Sequence, residues 1–114
     1  MVVGVCRALI VLCVGEDPVS LRALKNAAVS AEWELAPGAT ELRTALDQVD
    51  AERPHVLVAF GDHRELVRVV HERFPLMRIV VDRDTPGATV VAASLDEVRG
   101  LVVGVPRPGG PVGA

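Results

Sequence analysis

At 114 residues the chain is long enough for one compact domain and too short for two with separate cores. Half of its residues are hydrophobic, yet only Trp33, Phe60 and Phe74 are aromatic, so Val, Leu, Ile and Ala must fill the core, as suits a sheet covered by helices. A formal net charge of −3 with scattered Lys and Arg excludes the electrostatic footprint of a nucleic-acid binder and gives acidic partners no advantage.

The opening MVVGVCRALIVLCVG has the look of a leader peptide, but Arg7 interrupts the apolar run and no small-residue cleavage site follows. No apolar span is long enough to cross a bilayer, so no membrane association is expected. Cys6 and Cys13 are too few for a disulfide framework and sit in apolar surroundings, where a small buried thiol is the ordinary occupant. A reducing cytoplasm is the expected compartment.

The first strand is expected over Ala8 to Val14. In DPVSLRALKNAAVSA, Asp17 caps a helix, Pro18 fits its first turn, and Leu21, Leu24, Ala28 and Ala31 recur at helical spacing. A short run around Trp33 to Leu35 gives a second strand, with Trp33 more naturally packed beside helices than marking a contact surface. TELRTALDQVDAERP repeats the helical scheme, with Thr40 as cap, Leu42, Ala45, Leu46 and Val49 on one face and Pro54 as the stop. Val56 to Phe60 forms the third strand. The third helix opens with Asp62 and Glu65 at capping-box spacing and buries Leu66, Val69, Val70 and Phe74. Arg78 to Val81 and Thr89 to Ala93 supply two more strands. A last helix runs from Ser94 through Leu95, Val98, Leu101 and Val102. The tail, 105–114, is too rich in Pro and Gly to continue it and is expected to be flexible, leaving 1–104 as the folded domain.

Apolar runs alternating with helical patterns predict an α/β fold with a central, mostly parallel five-stranded sheet between two helical layers. Its ligands would bind at the carboxyl edge, where open α/β sheets place their sites. Glu16 and Asp17 follow the first strand, Asp62 and His63 the third, Asp82 and Asp84 the fourth. Hard cations want several oxygen ligands, so Glu16, Asp17 and Asp62 are candidate ligands for weak Mg²⁺ or Ca²⁺ binding. The competing expectation gives these acids capping and turn duties. His55, His63 and His71 form no plausible metal set.

The order of elements from about Arg7 to Val103 resembles the receiver domain of bacterial two-component response regulators. ALIVLCVGEDPVSLRAL is similar to that family's first strand, acidic loop and first helix: Glu16, Asp17 and Pro18 match, and Gly15 stands where the first acid would be. PHVLVAFGD is similar to the strand that ends in the phospho-acceptor aspartate, and its register puts Phe60 on that position. GATVVAASLDEVRGLV resembles the last strand and helix, with Ala93 or Ser94 in place of the lysine that ends the strand, and Asp82 falls on the position of the switch Thr or Ser. The resemblance therefore implies a flavodoxin-like scaffold that has lost the reaction, because phosphoryl transfer needs the aspartate, Mg²⁺ and the lysine together. Such a pseudo-receiver would be no enzyme, would need no cofactor, and would act by binding another protein or itself.

Two other readings stand beside it. One is a small-ligand or cation-binding domain at the acidic edge. The other sets a nucleophilic Cys13 at the strand end, where LCVGEDPVS loosely resembles phosphocarrier domains of sugar phosphotransferase systems; a hydrolase built on the same thiol is its variant. Against it stand Glu16 and Asp17, which would raise the thiol's pKa and repel phosphate, and Val19, which occupies the place of a phosphatase arginine.

Receivers also carry a helix between the fourth and fifth strands, but only DRDTPGA, Asp82 to Ala88, is available here. Extended, it spans about 24 Å, enough to return along a strand of about 17 Å without a helix. Alternatively Pro86 and Gly87 reverse the chain and the last strand pairs antiparallel. Either way a patch of sheet is expected to lose its cover. Val80, Val90, Val91, Val98 and Leu101 are then the candidate interaction residues of a homodimer or partner complex.

Overall fold

The computed structural model describes residues 9–103. Cys6, the expected tail at 105–114 and the boundary at 104 lie outside the described residues.

Five strands build one sheet: β1 (Leu9–Val14), β2 (Trp33–Leu35), β3 (Val56–Ala59), β4 (Arg78–Val81) and β5 (Val90–Val91). Their order is β2-β1-β3-β4-β5 and every pairing is parallel. That is the flavodoxin-like order, with the sequence-adjacent crossovers running from β1 outward in both directions. Parallel strands sandwiched between helices are buried on both faces, which is why Val11 to Val14 and Val56 to Ala59 are uninterrupted apolar runs rather than alternating ones.

Helix α1 (Pro18–Ala28) starts as its sequence dictates: the Asp17 carboxylate accepts from the Ser20 amide at 2.8 Å, and Pro18 occupies the first turn. Helix α2 (Leu42–Glu52) departs from expectation, because its N-cap is Glu41 rather than Thr40 and no side chain caps it. It closes through Arg53 in the left-handed region, whose amide bonds to Val49 O before Pro54 redirects the chain. Helix α3 (Arg64–Arg73) has no capping box either: His63 is its N-cap, and Asp62 has turned outward to Arg64. Val67 takes the fully buried place expected of Val69, and Phe74 is half-buried with the guanidinium groups of Arg53 and Arg73 over its ring. The last helix begins with a single 3₁₀ turn, Leu95–Glu97, and continues as α4 (Val98–Val103). Ser94 makes no capping bond, while Glu97 reaches back to accept from the Ala93 amide at 2.8 Å.

The side chains divide into two cores. Leu12, Val14, Leu57, Ala59, Ile79 and Val81 point to one face, beneath α2 and α3. Val11, Cys13, Val56, Val58, Val80 and Ala92 point to the other, beneath α1 and α4, where Trp33 is also buried and donates from Nε1 to Ala28 O at 2.8 Å.

The connection between β4 and β5 carries no helix, and β5 is parallel. Of the two geometries open to DRDTPGA, the chain takes the bare parallel crossover. This segment covers the sheet itself. Thr85 is buried with its hydroxyl donating to Arg83 O, Ala88 packs on the α2/α3-side core, and Gly87 (φ +91°) lies close against Val67 and His71. Thr89 then clasps Ile79, its amide donating to Ile79 O and its Oγ1 accepting from the Ile79 amide. Two expected interaction residues are corrected by this packing. Val80 and Val98 are fully buried within the chain, so neither presents a surface. Val90 and Leu101 are half-buried, and Val91 alone of the five is exposed, at 46 %.

Candidate functional site

The sheet's carboxyl edge gathers the loops that follow β1, β3 and β4. Backbone geometry brings them close. Gly15 lets the first loop pass against α1: a Cβ there would stand 2.8 Å from the backbone of Leu21, so the acid that the resemblance places at this position has no room. Gly61 (φ +109°) turns the chain sharply out of β3, and the Glu16 side chain fills the space that a Cβ at this position would need.

Phe60 follows directly on β3. Its amide still donates to Val14 O at 2.9 Å, so its backbone continues the ladder although its neighbour Gly61 does not. Its ring is half-buried against the α1/α4-side core. A phenyl ring at the strand end offers no oxygen to a phosphoryl group or a metal. Asp62 does not replace the missing carboxylate, since the turn at Gly61 sends it to solvent, 3.4 Å from Arg64.

Of the three expected cation ligands, Glu16 and Asp62 line one cavity and Asp17 does not. Asp17 is committed to the Ser20 amide, which holds its carboxyl below the usual aspartate range. Glu16 and Asp62 line a cavity of about 420 Å³ between the amino ends of α2 and α3, together with Thr40, Leu42, His63, Glu65 and Leu66. Glu65 is engaged by Arg68, and the His63 ring meets Phe60 O at 3.0 Å. No group of three potential metal ligands forms among the described residues.

Arg83, which the sequence reading did not single out, changes the electrostatics of the edge. Asp82 Oδ1 accepts from Arg83 Nε and from the Gly61 amide, each at 3.1 Å, and Oδ2 lies 3.4 Å from Arg83 Nη2. Burial pushes the Asp82 carboxyl up, but the hydrogen bonds from Arg83 and Gly61 and the guanidinium's charge outweigh it and hold the carboxyl below the ordinary aspartate value. The Arg83 guanidinium is held in its charged form by Asp82 first, and by the fields of Glu16 and Asp62 as well. At the end of β5, where the resemblance expects a lysine ammonium, the structure instead brings in the Glu97 carboxylate.

Cys13 lies inside the sheet, 1 % exposed, and burial pushes its thiol up to about 12 despite the nearby charge of Lys25. A sulfur so placed is neither ionised at neutral pH nor reachable by substrate.

The fold thus defines an open parallel α/β domain with Phe60, not a carboxylate, following the carboxyl end of β3. The solved structures it is similar to include receivers. A chemotaxis protein CheY4 from Vibrio cholerae superposes with a TM-score of 0.71 at 18 % identity, covering 87 % of this chain and 99 % of that one. The signal receiver domain of an HD domain-containing protein from Pseudomonas fluorescens gives 0.59 at 18 % identity, over 66 % of this chain and 63 % of that one. A cobalamin-binding protein from Desulfitobacterium hafniense gives 0.65 at 16 % identity, over 85 % and 58 %. The fold is shared; at these identities the likeness extends no further. No protein-family model matches the chain, and no curated protein does.

Proposed function

We propose that this is a receiver-like signalling or regulatory domain that accepts no phosphoryl group and acts through protein–protein contact, with itself or with another protein, in the cytoplasm. The observation that carries the proposal is Phe60 at the carboxyl end of β3, beside a Gly61 turn that throws Asp62, the next carboxylate along the chain, away from the strand. Arg83 and Glu97 support it, since the first occupies the acidic edge with a fixed cation and the second puts a negative charge where a product phosphate would be held. Buried Cys13 speaks against a thiol-based phosphocarrier or hydrolase.

The contact surface lies along β5 and the last helix. β5 is an edge strand of two residues, Val91 is exposed on it, Leu95 is exposed at the start of the last helix and Leu101 is half-buried within it. Edges of this kind are paired or covered in stable proteins.

The chemical half is tested by incubating the protein with acetyl phosphate and Mg²⁺ and recording its intact mass. An unmodified mass is expected. An acid-labile phosphoryl adduct overturns the proposal and makes Asp62 the suspect.

A further inference from the structure

We infer that the last helical segment, 95–103, is a strap that lifts from the sheet as a unit while the rest of the fold stays closed, with Arg78 as its pin and Gly100 as the residue that keeps it weak. Partner contact is not needed for this motion.

Little within the segment holds it together. It is one 3₁₀ turn followed by six α-helical residues, far short of the length at which a helix begins to stand alone in water. Ser94 leaves its start without a side-chain cap. Gly100 sits in the middle of α4, exposed, and a Cβ there would meet nothing within 4 Å. Alanine would therefore fit and favour the helix, because glycine loses more backbone freedom on folding than any other residue. Neither a turn nor a close approach calls for glycine here, unlike at Gly15 and Gly61.

Contacts with the surroundings keep the segment down. Val98 and Val102 are fully buried in the core that also holds Val56, Val58 and Val80, and Leu101 packs half-buried against it. Arg78, the first residue of β4, donates from Nε to Leu101 O at 2.9 Å. That oxygen belongs to the last turn, whose carbonyls a helix cannot satisfy by itself, and a charged donor makes the stronger kind of bond to it. Arg99 reaches the other way, donating from Nε to Ala27 O in the last turn of α1 at 3.3 Å. Three apolar side chains and two guanidinium groups thus hold a helix that has no stability of its own. By contrast, β1 and β3 are paired on both sides, and Val11 to Val14 and Val56 to Ala59 are buried throughout. A unit held so lightly opens before the domain unfolds, and Val80 and Val58 then lose part of their cover.

Native-state hydrogen exchange of the full chain at low denaturant reads the opening directly. Corrected for intrinsic rates, the Leu101 and Val102 amides are expected to exchange about tenfold faster than those of Leu12 and Val58, or faster still, and with a weaker dependence on denaturant, since a small opening bares little surface. Gly100→Ala is expected to slow the two α4 amides about two- to fivefold. Arg78→Met, which keeps an apolar stem and removes the donor, is expected to speed them about tenfold. Should Arg78→Met not fold, Arg99→Met cuts the second tie at an exposed position and is expected to speed the same amides. Leu101 and Val102 amides that share the exchange free energy and denaturant dependence of Leu12 and Val58 overturn the inference, because the segment would then leave only with global unfolding. So does a Gly100→Ala chain whose α4 amides are no slower, or a folded arginine variant whose α4 amides are no faster.

Discussion

The Gly61 amide donates to Asp82 Oδ1 at 3.1 Å, tying the loop after β3 to the loop after β4 across the carboxyl edge. This bond has a pH signature. The Asp82 carboxyl is held below its ordinary value of 3.8, so the folded state binds its proton less readily than the unfolded state. Its stabilisation is therefore complete above that value and disappears as the pH falls through the lower, folded value. Acid unfolding of Asp82→Asn is expected to show a shallower dependence between about pH 4 and pH 2 than the natural chain. Identical acid limbs would show that the bond contributes nothing in solution.

Gly61 answers two demands at once, a φ of +109° and the room taken by Glu16. Gly61→Ala should cost about 1–3 kcal/mol for backbone strain alone, and more from the Glu16 contact. Combined with Glu16→Ala, the second part disappears and the first remains. Denaturant unfolding of the four-member cycle measures this: the double variant is expected to lose clearly less stability than the sum of the two single losses.

At the opposite edge of the sheet, His55 is joined to β1 by two hydrogen bonds and to β4 by a third. Its Nδ1 accepts from the Ile10 amide at 3.0 Å, its own amide donates to Ile10 O, and its carbonyl accepts from Arg78. The ring must then carry its proton on Nε2. His55→Ala removes the acceptor and should cost about 0.5–1.5 kcal/mol. Native-state hydrogen exchange should localise the loss at the Ile10 amide.

Ile79 is fully buried in the core that α2 and α3 cover and on which Ala88 of the β4–β5 segment packs. Ile79→Ala should cost about 2–5 kcal/mol, as deep core truncations do. A cost under about 1 kcal/mol would show that this side of the sheet is loosely packed.

Much of this fold can be read directly from the residues. Apolar runs such as Val56 to Ala59, bounded by Pro54 and Gly61, mark buried parallel strands, and Asp17 with Pro18 marks the start of α1 as it is found. Helix starts without a working cap were less legible, because Thr40 and Asp62 have cap chemistry but the backbone around them spends it elsewhere or not at all. Pairings between distant residues left no local trace. Gln48 clamps Gly38 from both sides, accepting from its amide at 2.8 Å and donating to its carbonyl at 2.7 Å, and nothing in the ten-residue spacing announces it. The burial of Val80 was not legible for a related reason: the segment after β4 holds no helical pattern, and it is α4, arriving later in the chain, that shares its core. Arg83 escaped notice because a lone exposed arginine beside an aspartate is ordinary in sequence. Its meaning depends on Gly61 and Glu16 arriving from two other loops.

The central claim is association that needs no phosphorylation, and sedimentation of the purified protein with and without acetyl phosphate and Mg²⁺ tests it most directly. The account predicts the same self-association, or the same complex with a purified partner, in both conditions, and its weakening by Val91→Lys on the exposed edge of β5. A monomer that binds nothing, or association that appears only with the phosphodonor, would contradict it.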